Sequence, residues 1–213
     1  MDVKARQSPR LLTLVPAEGR SESSDDRPGE PDDAELVERA TAGDRWAEEA
    51  LYRRHARPIT AAVTRMVGRH ADADDIVQDT FVVAFERLAT LREGAAFRAW
   101  VARIAVNQVR RHLRRRRLFG WVRLDRGADD AGFAALAVHG TRPDLAAELA
   151  ELDRIVARLP AEQRMTWILH RVEGWSLSET AEALGVSSAT VKRRLSAADS
   201  AVEVSRTGRG WTT

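Results

Sequence analysis

The sequence predicts an all-α fold of two small helical domains, and three observations carry that expectation. Apolar residues recur at three- and four-residue spacing through nearly every segment after residue 33. No stretch alternates apolar and polar residues long enough to read as a strand. Between the two helical runs, residues 118–143 lose periodicity and hold Gly120, Gly127, Gly132, Gly140 and Pro143, the composition of a linker.

Residues 1–33 contain Pro9, Pro16, Pro28 and Pro31 among Ser, Asp, Glu and Gly, with little to bury, and read as a disordered tail. A first helix is expected over about Ala34–Ala42. After Gly43, Asp44 is placed to cap a second helix that carries Trp46, Ala50, Leu51, Ile59, Val63 and Val67, with Pro58 as a potential kink. A third, about Asp72–Leu88, places Ile76, Val77, Phe81, Ala84, Phe85 and Leu88 on one face. A fourth, about Ala95–Arg117, is expected to bury Phe97, Trp100, Val101, Ile104, Ala105, Val109 and Leu113. Helices resume over about Asp144–Leu159 and Ala161–Glu173. These spans give a domain at 34–117, a linker at 118–143, a second domain at 144–199 and a C-terminal tail at 200–213.

The end of the second domain is the most specific stretch. Ser176 and Glu179 have capping-box spacing, so each side chain can satisfy a free amide at a helix start. Leu177, Thr180, Ala181 and Leu184 form one buried face, and Ala181 is small where two helices must approach. Gly185 follows the last periodic residue, where the chain must turn left-handed, and Ser187 can cap the next helix. That helix buries Val191 and Leu195 and leaves Ser188, Ala189, Lys192, Arg193 and Arg194 on its other faces. Two short helices, a tight turn and a basic second helix are the layout of a helix-turn-helix, which reads base edges in a DNA groove.

Composition excludes several classes. The chain has 213 residues, a formal net charge of +2 and no cysteine, which removes disulfides, thiolate metal sites and a thiol switch. No apolar run approaches the roughly 18 residues a membrane span needs, and Leu11–Val15 is too short for a signal-peptide core. A soluble, cytoplasmic protein is expected. Charge is uneven: residues 1–33 carry a net of −3 and residues 34–117 a net of +6. A positive central domain favours a nucleic-acid partner there.

Two segments of that domain carry chemistry. In Asp72-Ala-Asp-Asp75-Ile-Val-Gln78-Asp79, the carboxylates crowd a helix N-terminus, where the helix dipole favours them. Asp75, Gln78 and Asp79, at i, i+3 and i+4, share one face. That face suits a solvated helix, a docking surface for a basic protein, or a Mg²⁺ site. In the fourth helix, an aromatic start is followed by six arginines among residues 110–117. Like charges packed so densely repel one another, and a polyanion relieves them. Aromatic and amide side chains upstream on the helix can stack on or bond to unpaired bases.

Taken together, these segments resemble bacterial RNA polymerase sigma factors of the extracytoplasmic-function group. Asp74-Asp-Ile-Val-Gln-Asp-Thr-Phe81 is similar to the acidic helix of sigma region 2 in that family. Phe97-x-x-Trp100-Val-x-x-Ile104-Ala-x-Asn107, followed by Leu113-Arg-Arg-Arg, resembles its promoter-melting helix. Leu159-Pro160, Glu173-Gly174-Trp175-Ser176 and Thr190-Val-Lys-Arg-Arg-Leu195 resemble the start, middle and recognition helix of region 4. The resemblance implies that Asp75, Gln78 and Asp79 dock on the clamp of the polymerase β′ subunit. It implies that Trp100, Asn107, Arg110, Arg111, Arg114 and Arg115 hold the −10 element and its separated strand, with the loop about Leu91–Ala96 capturing a flipped base. Ser188, Thr190, Lys192, Arg193 and Arg194 would read the −35 element. The apolar side of region 4 would rest on the β flap, and the linker would thread toward the active-site and RNA-exit channels. An anti-sigma protein is the expected regulator. Neither catalytic residues, metal nor cofactor is implied.

The chain departs from the family pattern at four places. Arg111 stands where an acidic residue is usual, Val106 where an arginine is common, and Thr180 where isoleucine is common. Ser196-Ala-Ala-Asp199 replaces a basic segment, which weakens the expected phosphate grip of region 4. Two rivals give different expectations. A helix-turn-helix regulator that binds duplex DNA alone would lack the helix at 94–117. A metal-dependent nuclease would use Asp72, Asp74, Asp75 and Asp79. His55, His70, His112, His139 and His170 show no ligand spacing on a shared helical face.

Overall fold

The computed structural model describes residues 31–68, 70–119 and 143–207. The described residues are helical or in short turns and contain no strand. The expected linker falls largely outside them, as do residues 1–30 of the expected tail.

The first helical region begins where a polar side chain can stop fraying. Asp32 accepts from the Glu35 amide at 2.8 Å and caps α1 (Asp33–Thr41), so the last two residues of the expected tail already belong to the fold. Asp44 repeats the device for α2 (Arg45–Val67), accepting from the amides of Trp46 and Ala47 and from the Arg39 guanidinium. The helix runs through Pro58 and ends at Gly68, which takes a left-handed φ of 76°. Next come α3 (His70–Glu86), 3₁₀ turns at Leu88–Thr90 and Gly94–Ala96, and α4 (Phe97–Phe119). Helices α2, α3 and α4 pack along one another, and α1 lies across α2 and the Gly94 turn. A Cβ on Gly94 would sit 2.7 Å from the Ala34 Cα, so only glycine permits that approach.

The second region comprises α5 (Pro143–Ala157), α6 (Ala161–Trp167), α7 (Leu177–Leu184) and α8 (Ser188–Thr207). After Trp167 the chain loosens into a π-helical turn, Ile168–Val172, where the expected single helix to Glu173 would have continued. Helices α6 and α7 both pack on α8. The expected C-terminal tail is corrected over residues 200–207. They extend α8, and Val202 is buried because it continues the stripe of Val191, Leu195 and Ala198.

Apolar burial follows the periodicity, with exceptions at stripe edges. Leu36, Leu51, Val63, Phe97, Val101 and Val109 are fully buried. Trp46, expected with the apolar face of its helix, is instead 47% exposed, its ring covered by Arg39 at 4.8 Å. Trp100, Ile104 and Leu113 are only partly buried, because they flank the α4 stripe instead of centring it. The two helical regions touch. Residues of both belong to one contiguous apolar core, and a cleft between them is lined by Ile59, Met66 and Val106 on one side and Leu169 and Trp175 on the other.

Candidate functional site

Three exposed faces emerge. On α3, Asp75, Gln78 and Asp79 are exposed together, as their spacing requires, and Val82 extends the stripe with half its surface open. Behind the stripe, Phe81 is buried and meets Tyr52 edge-on at 4.8 Å, which fixes the helix against α2. Asp72 has turned the other way. Its carboxylate faces α4, 3.3 Å from Arg116 and 3.4 Å from His112. The four carboxylates of the nuclease reading are therefore split, and no cluster of three metal-ligating side chains occurs among the described residues.

On α4, Asn107, Arg111 and Arg114 are exposed and Trp100 is half-buried, with 7-, 4- and 3-residue spacings that place them on one stripe. Trp100 leans on Phe97, ring centroids 6.0 Å apart, so its indole is held by the core while its edge stays open. Arg115 is exposed beside this stripe. Arg110 is not on it. It is turned toward α7, where its Nη1 donates to the Ala183 carbonyl at 2.8 Å and, more weakly, to Asn107 Oδ1 at 3.4 Å. Arg103, one face along, lies 3.9 Å from Glu179 of α7. Val106 is buried beneath the stripe, which accounts for an apolar residue at that position.

The third face is built by caps. Ser176 Oγ accepts from the Glu179 amide and Glu179 accepts from the Ser176 amide at 2.9 Å, completing the capping box. The Ser176 hydroxyl, which also donates to Glu179 Oε2 at 2.7 Å, and then the Ser176 amide hold the Glu179 carboxyl below its usual range. Gly185 turns the chain at φ 62°, and Ser187 Oγ accepts from the Thr190 amide at 3.2 Å to start α8. Ala181, Val191 and Leu195 close a small core between the two helices. On the outer surface Ser188, Lys192 and Arg193 are exposed, with Ala189 and Ser196 beside them. Thr190 is half-buried and its hydroxyl bonds Ser187.

Arg194 is paired with Glu162 of α6 and is largely covered, so it belongs to the scaffold more than to the outer face. Asp199, in place of a basic residue, accepts from Trp167 Nε1 at 3.0 Å and from Arg171 at 2.7 Å, tying α8 to the π turn. His55 is buried against Asp33, and His170 Nδ1 lies 2.6 Å from the Trp175 carbonyl; both serve packing.

An acidic stripe, an aromatic and arginine stripe, and a capped helix-turn-helix thus occur in that order on one chain. Family models match the same stretches: Sigma-70 region 2 over residues 51–119 and Sigma-70 region 4 over residues 149–198. The chain belongs to the extracytoplasmic-function sigma factors of RNA polymerase. It is 36% identical to the RNA polymerase sigma factor NccH of Alcaligenes xylosoxydans, over 78% of this chain and 90% of that one. With the sigma factor SigM of Mycobacterium tuberculosis it shares 34% identity, over 78% and 80% of the two chains. A solved structure of CnrH in complex with the cytosolic domain of CnrY matches at a TM-score of 0.51 and 27% identity, covering 81% of this chain and 95% of that one. The sigma factor recognises promoters and initiates transcription with RNA polymerase. No described helix is long and apolar enough to cross a membrane.

One residue the sequence reading passed over stands out. Arg164 of α6 is only 8% exposed and donates to four main-chain carbonyls, Met66, Val67, Ala157 and Leu159. Its signal in the sequence is an arginine one turn before Trp167 and Ile168, on a helix face that is otherwise apolar.

Proposed function

We propose that residues 34–117 bind core polymerase and the −10 element, that residues 144–199 read the −35 element, and that residues 118–143 connect them. Asp75, Gln78 and Asp79, with Val82 as the apolar part of the same stripe, would meet a basic surface of the β′ clamp. The apolar side of the second region would meet the β flap. The sigma factor itself would perform no catalysis and use no metal or cofactor. It would work in the cytoplasm, on promoter DNA, under an anti-sigma protein. CnrH, a relative captured with the cytosolic domain of CnrY, supports the idea of a protein partner that holds it.

The observation that carries this reading is the open stripe of α4. An aromatic ring anchored by the core, an amide and two arginines succeed one another along one helix, Trp100, Asn107, Arg111 and Arg114. A separated strand needs those groups: a ring to stack a base, an amide to bond its edge, and guanidinium forks for phosphates. Strand opening would be driven by binding, since holding extruded bases must offset a few kcal/mol of unstacking. Lys192 and Arg193 would contact the upstream element, each base contact contributing about 1–3 kcal/mol of discrimination.

Permanganate reactivity of unpaired thymines in a promoter complex with core polymerase tests the stripe. Trp100→Ala should reduce that reactivity by about tenfold, the order of one lost base stack, while core binding stays unchanged. Undiminished opening would remove Trp100 from the strand-binding face.

A further inference from the structure

The groups proposed to hold the opened strand are themselves held by one pair of side chains. His55 of α2 is 5% exposed, and its Nε2 lies 2.9 Å from Asp33 Oδ2 at the start of α1. The other oxygen of Asp33 accepts from Arg54 Nη1 at 2.8 Å. Arg54 Nη2 donates to the Pro31 carbonyl at 2.9 Å, so the entry to α1 is tied to α2 at two points. The same imidazole packs on Phe97, the first residue of α4, with ring centroids 5.2 Å apart. Phe97 is fully buried and in turn meets Trp100 at 6.0 Å. Three rings, His55, Phe97 and Trp100, thus run from the core to the open stripe of α4.

A second path leaves from the same carboxylate. Ala34, the neighbour of Asp33, seats so closely on Gly94 that a Cβ there would stand 2.7 Å from the Ala34 Cα. Gly94–Ala96 is the last turn of the Leu91–Ala96 loop and leads straight into Phe97. The loop is therefore bracketed by α1 and by Phe97, and both brackets meet at His55. Between them Arg92, Glu93 and Ala95 stay exposed. A binding site needs its groups held to about 0.5 Å by neighbours whose own rotamers are locked by packing. Aromatic contacts supply direction as well as area, and a part-buried carboxylate tolerates few arrangements of partners. We propose that His55 and Asp33 are positioning residues for strand capture. Through Phe97 they set where Trp100 offers its ring, and through Ala34 they set the Leu91–Ala96 loop. Without the pair, the arginines further along α4 would still hold phosphates, but the site would no longer sense one base. The inference rests on the assignment of α4 as the strand-binding helix.

The test uses polymerase holoenzyme assembled with each variant and a fluorescent single strand spanning the −10 block, either intact or abasic at each position in turn. In the parent, removing the captured base should weaken binding about tenfold, the order of one stacked base. His55→Leu and Asp33→Asn should each bind the intact strand about tenfold more weakly than the parent. Removing that base should then cost them less than about twofold more, because both changes act on one interaction. Affinity for core polymerase should match the parent. A general loss of folded protein would lower binding of both strands alike and keep the tenfold ratio between them, so the ratio separates positioning from stability. If His55→Leu loses its helical circular dichroism, Asp33→Asn decides, since it alters one oxygen of a side chain that is 19% exposed. A full tenfold ratio in the folded variant, or unchanged binding of the intact strand, overturns this inference alone. A parent chain that senses no base removal and is indifferent to Trp100→Ala would overturn the assignment of α4, and the positioning role with it.

Discussion

Ser176 and Glu179 show how much one pair of side chains decides. Each satisfies the other's amide at the start of α7, and the helix they begin is only eight residues long, too short to persist without help. Ser176→Ala should cost about 1 kcal/mol in urea unfolding. The Glu179 carboxyl is held below its ordinary 4.5 by those bonds, first the Ser176 side chain and then its amide. Its contribution is therefore complete above that value and disappears as pH falls through the lowered one. A carbon-detected titration of Glu179 should show its midpoint rise in Ser176→Ala, and an unmoved midpoint would detach the shift from the cap. Further along, Lys192 and Arg193 are open while Arg194 is tied to Glu162. Arg193→Ala should lower the salt slope of promoter binding by about one unit. Arg194→Ala should lower it less and melt the domain earlier; equal slopes would place both arginines on DNA.

At the scale of the element, α3 separates two jobs by face. Ile76, Val77, Phe81 and Ala84 hold it in the bundle, and Asp75, Gln78 and Asp79 face outward without structural duty there. Asp75→Ala with Gln78→Ala should weaken binding to core polymerase at least tenfold, the loss of about 1.4 kcal/mol, and leave far-UV dichroism unchanged. Undiminished affinity would move the docking face elsewhere. The outward set was legible because spacing alone fixes which residues of a helix share a face. So were the caps at Asp44, Ser176 and Ser187 and the left-handed Gly185, since their residue types have few other uses. What could not be read is where an element ends and whom it meets. Nothing local distinguishes residues 200–207 from a tail; Val202 orders them only by joining a stripe already packed on α6. The edge positions Trp46 and Trp100 misled for a related reason: an apolar type signals a buried face, and a half-open ring carries the same letter. Arg110 and Arg194 looked free in sequence because their acceptors, Ala183 and Glu162, lie far away along the chain.

For the whole molecule, the arrangement of faces matters more than any of them. The acidic stripe of α3 stays open while Arg110 on α4 is engaged by α7. In the proposed function, this chain directs core polymerase to promoters by gripping an opened strand on α4 and an upstream element on α8. The most direct measurement is initiation in vitro by purified chain and core enzyme on a library of genomic fragments. Transcripts are expected from a small set of start sites that share two upstream sequence blocks, and they should be lost when Arg111 and Arg114 are replaced by alanine. Transcripts that start without any shared upstream sequence, or none beyond core enzyme alone, would contradict it.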